Sequence, residues 1–167
     1  MSSNLLFFPY KGQKLPKDFK CLPKNEPLVD FFNKSAGKCV KNIVSKIFII
    51  KNEEGAFLGY VALALKNITR NALNPPKSDG IFDRPALVIG QLLIGENFRR
   101  QGCGKAVLKW VIAIVRVVGN FVPLRLLVVE ALHDDAKKYY EDRGFKPLPG
   151  DPYTLVLDLL KILEGKG

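Results

Sequence analysis

The sequence is poorest in the residues that build metal and disulfide sites, with three cysteines and one histidine in 167 residues. Cys21, Cys39 and Cys103 are an odd set without Cys-x-x-Cys spacing, and His133 alone cannot complete a zinc tetrad. Neither a metalloenzyme nor a disulfide scaffold is expected. Internal repeats, low-complexity tracts and long linkers are also missing. Residues 1 to 10 are apolar but lack a basic start and a small-residue cleavage site, so they make a poor signal peptide. The expected location is the cytoplasm, which leaves Asn67-Ile68-Thr69 an accidental glycosylation triplet. Acid is scarce too, at 16 Asp+Glu against 26 Lys+Arg.

What is present is 47% hydrophobic and 25% charged residues, the balance of one globular domain over residues 1–167. A chain of this size buries roughly 70% of its unfolded surface, enough for a core without crosslinks. The net charge of +10 is uneven. Residues 1–51 hold ten Lys against Asp18, Glu26 and Asp30, and the stretch from Asn97 to Val129 holds Arg99, Arg100, Lys105, Lys109, Arg116 and Arg125 with no acid. Solvated lysines explain such regions; so does an anionic partner such as RNA or a phosphorylated cofactor.

Periodicity predicts a helix over Glu26–Ser35, then strands Lys46–Lys51 and Phe57–Lys66 around an Asn52-Glu53-Glu54-Gly55 turn. Asn74 to Gly80 reads as a loop. Ala86–Ile94 is a strand apolar enough for burial on both faces. Ala106–Val118 suits a strand by its Val and Ile content. Its 13 residues, with Lys105, Lys109 and Arg116 on one helical face, favour a buried helix, too short and too charged to span a bilayer. Leu124–Val129 follows as a strand, Asp134–Arg143 as a helix and Tyr153–Leu159 as a last strand. The order predicts a mixed α/β fold with a central mixed sheet.

The join between the third strand and the long helix carries the most chemistry: Gln91-Leu92-Leu93-Ile94, Gly95-Glu96-Asn97-Phe98, then Arg99-Arg100-Gln101-Gly102-Cys103-Gly104-Lys105. At a helix start the first N–H groups have no intrahelical partner and the macrodipole is positive, so a phosphate is well held there. Glycine lets the backbone come close. The spacing is neither Gly-x-Gly-x-x-Gly nor the Walker pattern, which counts against dinucleotides and nucleoside triphosphates.

Arg99-x-x-Gly102-x-Gly104 after an apolar strand resembles the pyrophosphate motif of the Gcn5-related N-acetyltransferases (GNAT family). Ala136-Lys137-Lys138-Tyr139-Tyr140-Glu141-Asp142-Arg143-Gly144-Phe145 is similar to that family's downstream signature, about 35 residues later. The resemblance covers roughly residues 45–160. It implies two parallel central strands, Ala86–Ile94 and Leu124–Val129, that splay to admit acetyl-CoA. It places cofactor contacts at Leu92, Leu93, Ile94, Arg99, Arg100, Gln101, Gly102, Cys103, Gly104, Lys105 and His133, the last standing where Asp or Asn is usual. Phe19-Lys20-Cys21, Leu58-Gly59-Tyr60-Val61-Ala62-Leu63 and Gly150-Asp151-Pro152-Tyr153-Thr154-Leu155 resemble the acetyltransferase toxins of bacterial toxin–antitoxin pairs, which acetylate the α-amine of aminoacyl-tRNA. Departures from that pattern are Gln91 for Arg, Gly95-Glu96 for an acid-first loop, and His133.

By that resemblance Tyr140 is the general acid for the departing thiolate, and Tyr139 the core-anchored aromatic. A main-chain N–H from the end of the Leu92–Ile94 strand polarises the thioester oxygen. Glu96 and Glu130 are candidate bases, although an aminoacyl amine needs no strong one. Cys103 at a helix start invites a nucleophile reading, but small residues belong in its slot. Arg99, Arg116 and Arg125 are expected to contact RNA. Acetyl-CoA, tRNA, a ribbon–helix–helix antitoxin and a second copy of the chain are the implied partners, with no metal and no membrane. The alternatives are a GNAT enzyme acting on a small amine or protein terminus, and a non-catalytic RNA- or protein-binding module.

Overall fold

The computed structural model describes residues 4–69, 72–73 and 83–163; the predicted Asn74–Gly80 loop lies outside them. Seven strands form one sheet in the order β1-β2-β3-β4-β5-β7-β6. The chain divides into two compact units, Met1–Ala64 with Gly90–Ile112 and Leu65–Ile89 with Ala113–Gly167.

In the first unit β1 (Leu6–Pro9) and β2 (Lys46–Lys51) are antiparallel, as are β2 and the start of β3 (Phe57–Ile68). The turn between β2 and β3 closes as its composition predicts. Asn52 Oδ1 accepts the Ala56 N–H at 2.8 Å, and Gly55 sits at φ +83°. Helix α1 (Glu26–Lys34) and helix α2 (Ala36–Lys41) follow a 3₁₀ turn at Pro23–Asn25. Leu28 and Phe32, four apart on one face of α1, and Ala36, the first residue of α2, pack with Ile47, Ile49, Tyr60, Ala62 and Leu93. Tyr60 donates from its hydroxyl to Leu28 O at 2.6 Å, so the one polar atom it buries is satisfied. Truncating Phe32, only 2% exposed, to Ala would cost about 3–5 kcal/mol.

In the second unit the first half of β4 (Arg84–Ile94), up to Ile89, and β5 (Leu126–Glu130) are the parallel pair. Their ladder runs from Ala86↔Leu126 to Ile89↔Val129, and β4 continues to Ile94. β5 pairs antiparallel with β7 (Asp151–Asp158), and β7 with β6 (Lys146–Leu148). Ile68, Ala86, Val88, Leu126 and Val128 form its core. Helix α4 (Asp134–Glu141) lies between β5 and β6 in the chain, and α5 (Leu160–Leu163) follows β7.

Helix α3 (Cys103–Val118) is a helix, as its length and charge spacing predict, but not a buried one. Cys103, Val107, Val111 and Val115 are buried, whereas Lys105, Lys109 and Arg116 are exposed and Val117 is 61% exposed. Strand β4 is likewise buried on both faces only over Ala86–Ile89; Gly90, Gln91 and Leu92 are half-buried. Elements the sequence did not disclose are β1, α2, β6 and α5. β1 and β6 each contain a proline and are mostly exposed, so neither shows a two-residue alternation.

Candidate active site

β4 ends where its main chain presses on β3. A Cβ built on Gly59 would lie 1.8 Å from Leu93 O and 2.8 Å from Leu93 C, so only glycine fits there. Leu58, the extra residue of a register shift in β3, accepts the Gly95 N–H at 2.7 Å, and Lys20 O accepts the Glu96 N–H at 2.8 Å. These bonds fix the start of the loop. A 3₁₀ turn at Glu96–Phe98 follows, with Gln101 Nε2 donating back to Asn97 O at 2.9 Å.

The loop then reverses through two left-handed residues, Arg100 at φ +59° and Gly102 at φ +81°. A Cβ on Gly102 would meet no atom within 4 Å, so the glycine serves its backbone angle and leaves space over the loop. Ala106 N makes the first return bond, to Gly102 O, so the amides of Cys103, Gly104 and Lys105 stand at the open first turn of α3. Arg99, Arg100, Gln101, Gly102 and Lys105 are exposed, Gly104 is half-buried, and Leu92 and Ile94 are half-buried with Leu93 in the core. Free amides, open space and three cationic heads fit a pyrophosphate. Cys103 is only 5% exposed and burial pushes its thiol up, despite a backbone N–H that lowers it, which disfavours a nucleophile.

The second cluster is on α4. Tyr140 is 7% exposed, with ring centroids 5.3 Å from Tyr139 and 5.5 Å from Phe145. Burial, reinforced by Tyr139 and opposed by Arg143, drives its hydroxyl well above the ordinary tyrosine range, so it stays protonated. Sequence had made Tyr139 the core anchor; instead Tyr139 is half-buried beneath Arg143, whose Cζ is 3.4 Å from the ring centroid and whose Nη1 donates to Tyr139 O at 2.8 Å. The turn after α4 closes at Gly144, φ +89°, with Phe145 N donating to Tyr140 O at 3.2 Å.

Three expected site residues have other tasks in the structure. His133 caps α4, its Nδ1 accepting the Ala136 N–H at 3.2 Å. Arg125, expected on an RNA-binding face, is held bidentate by Asp158 at 2.8 and 3.0 Å, with side chains only 21% and 32% exposed. Glu130, a candidate base, pairs with Lys66 at 3.7 Å, while Glu96 and Arg116 are exposed. Cys21 is tied to Glu26 at 3.7 Å, and burial, Glu26 and Glu96 all raise its thiol. Sequence had also left Gly59 without a role, although its place in Leu58-Gly59-Tyr60 was visible.

The acetyltransferase (GNAT) family model matches residues 16–145. The chain belongs to the acetyltransferase (GNAT) family. Among its GNAT relatives, a tRNA-acetylating toxin of Mycobacterium tuberculosis is 26% identical over 105 residues, which is 62% of this chain and 63% of that protein. Two solved structures share the fold along nearly the whole chain. AtaT complexed with acetyl-methionyl-tRNAfMet has a TM-score of 0.80 at 23% identity, covering 95% of this chain and 97% of that one. AtaTR bound with AcCoA has a TM-score of 0.79 at 25% identity, covering 98% of each. The stretch that resembles a GNAT pyrophosphate motif lies on the exposed loop at the start of α3, and the stretch that resembles the family's downstream signature runs from α4 to Phe145, with Tyr140 and Phe145 buried in it. Among the described residues, no helix is long and apolar enough to cross a membrane.

Proposed function

We propose that this chain is a cytoplasmic acetyl-CoA-dependent N-acetyltransferase, one domain over residues 1–167, whose acceptor is the α-amine of aminoacyl-tRNA. The observation that carries the reading is the loop Arg99–Lys105, where left-handed Arg100 and Gly102 expose first-turn amides among three cationic side chains within a family match. Acetyl-CoA supplies the activated acyl group as a thioester. The Cys103, Gly104 and Lys105 amides with Arg99, Arg100 and Lys105 hold its pyrophosphate. The main chain at Leu92–Ile94 orients the thioester, and Tyr140, kept neutral by burial, gives its proton to the departing sulfur. Glu96 and Glu130 are not needed as strong bases, because an ester carbonyl next to the amine already lowers its basicity.

The tRNA acceptor is supported by the named relatives and by the exposed basic residues of the acid-free stretch, Arg99, Arg100, Lys105, Lys109 and Arg116. Arg125 is left out because its charge is already paired. An antitoxin with a ribbon–helix–helix segment belongs to the same reading.

The test is incubation with labelled acetyl-CoA and total charged tRNA at rising salt. Label should enter the aminoacyl group, with log affinity falling linearly in log salt by about 0.7–0.9 per phosphate contact. Turnover of a polyamine or peptide with none of charged tRNA assigns a different acceptor and retains only the acetyltransferase.

A further inference from the structure

The Gly150–Leu155 segment has no task in the reaction as described, yet in the second unit Tyr153 joins three pieces of chain. Its carbonyl accepts the N–H of Ala131, the first residue beyond β5, at 2.8 Å. Its own N–H donates to Asp151 Oδ1 at 3.3 Å. Its hydroxyl donates to Oδ1 of Asp134, the first residue of α4, at 2.6 Å. One turn along α4, Lys137 holds its Nζ 5.8 Å from the Tyr153 ring centroid. Asp151 Oδ2 accepts the Thr154 hydroxyl at 2.6 Å, so β7 presents Tyr153 from a start that its own side chains fix.

We infer that Tyr153 is a positioning residue for acetyl transfer: through its bond to Asp134 it fixes the start of α4 on β7, and so sets where Tyr140 of the same helix holds its hydroxyl. This rests on the reading of Tyr140 as proton donor. Asp134 and Tyr140 are six residues apart, about 9 Å along a rigid helix, so a shift at one end is carried to the other. The Tyr140 end is held by ring packing on Phe145 and by main-chain bonds within its own turn, such as Phe145 N–H to Tyr140 O at 3.2 Å, whereas the Tyr153–Asp134 bond ties α4 to β7. Because Tyr153 is 40% exposed, its hydroxyl adds little to global stability, and that separates positioning from folding.

The experiment uses the full chain and whichever of charged tRNA, polyamine or peptide the wild type acetylates. Tyr153→Phe and Asp134→Ala should each lower kcat roughly tenfold with KM for acetyl-CoA unchanged, the scale of a misplacement below 1 Å. Combined, they should be no worse than either one. Asp134→Asn, whose amide oxygen still accepts, should retain most of the rate. Hydrogen exchange of α4 amides should quicken in Tyr153→Phe and Asp134→Ala. In a Tyr140→Phe background, Tyr153→Phe should cost nothing more. The inference is overturned by unchanged kcat in Tyr153→Phe, by an equal further loss on top of Tyr140→Phe, or by unaltered α4 exchange. Full turnover by Tyr140→Phe removes the donor reading and this inference with it, whereas a slow Tyr140→Phe beside a fast Tyr153→Phe removes this inference alone.

Discussion

Between Arg99 and Lys105 the groups offered to solvent are the amides of the α3 start, the Gln101 side chain and three cationic heads, held by backbone angles at Arg100 and Gly102. Between Lys137 and Phe145 the decisive group is a ring packed against two others, with a hydroxyl whose protonation is set by burial. One region works through its main chain and tolerates many side chains, provided the glycines stay. The other depends on which of two adjacent tyrosines the helix buries more fully. On the proposed reading, substitutions act differently: in the loop through conformation and affinity, on α4 through proton transfer.

The largest effect that could break this contrast is at Tyr140. Tyr140→Phe keeps the ring packing and removes the proton donor, so turnover should fall about 10²- to 10⁴-fold while coenzyme A affinity by calorimetry holds. Tyr139→Phe keeps the ring beneath Arg143 and should leave turnover near wild type. Because burial raises the Tyr140 pKa, the phenol remains protonated as pH passes the ordinary tyrosine value. A rate profile that drops on an ionisation between pH 8 and about 10 would show a normal tyrosine and defeat the assignment.

The next test sets two glycines against each other. Gly59→Ala forces a Cβ onto Leu93 O, which is main chain and cannot rotate away, so destabilisation of about 4 kcal/mol or more is expected. In a chain of this length that is a fall in Tm of roughly 10 °C. Gly102→Ala meets no atom and suffers only its left-handed angle, about 1–2 kcal/mol, so its loss should show mainly in coenzyme A binding. Equal melting of the two variants would mean that β4 does not need the close approach.

Two arginines sharpen the electrostatic side. Arg125→Ala strands Asp158, which also accepts the Leu160 N–H at 3.0 Å, and should cost about 1.5–3 kcal/mol of stability. Arg116→Ala, exposed on the last turn of α3, should leave Tm unchanged and weaken tRNA binding. Scanning calorimetry beside tRNA titration separates them, and a reversed pattern would return Arg125 to the RNA-binding surface.

Much of this was legible in the sequence because it is written in backbone rules. The β2–β3 turn follows from Asn52 and Gly55 and the strand and helix kinds from periodicity, while α3, expected from Ala106, starts three residues earlier at Cys103. Side-chain destinations were not legible. Period and composition do not say that Tyr140 is buried more fully than Tyr139, that Arg125 meets Asp158 thirty-three residues on, or that His133 caps a helix. The Arg125 pair is a contact between distant segments, and the other two turn on how a side chain settles among neighbours a few residues away. Gly59 falls between the two kinds: its dipeptide was visible, but the carbonyl that demands it comes from β4.

The smallest effect tests the turn that opens β7, where exposed Asp151 is bonded by the hydroxyl of buried Thr154. The Thr154 hydroxyl above all, opposed by desolvation and helped by the Tyr153 and Thr154 amides and the Lys66 charge, holds the Asp151 carboxyl below its ordinary value near 3.8. A carboxyl depressed in the folded state adds stability at pH above its unfolded value, and that contribution is lost as pH falls through the folded one. Asp151→Asn should thus melt slightly below wild type at neutral pH, and the gap should close as pH drops below about 4. Thr154→Val, which removes the first of these donors, should show a smaller acid-dependent loss of stability, complete at a higher pH than in wild type. Melting curves from pH 7 to pH 2.5 read both, and a gap independent of pH would show that the turn is held by backbone shape and not by the carboxylate.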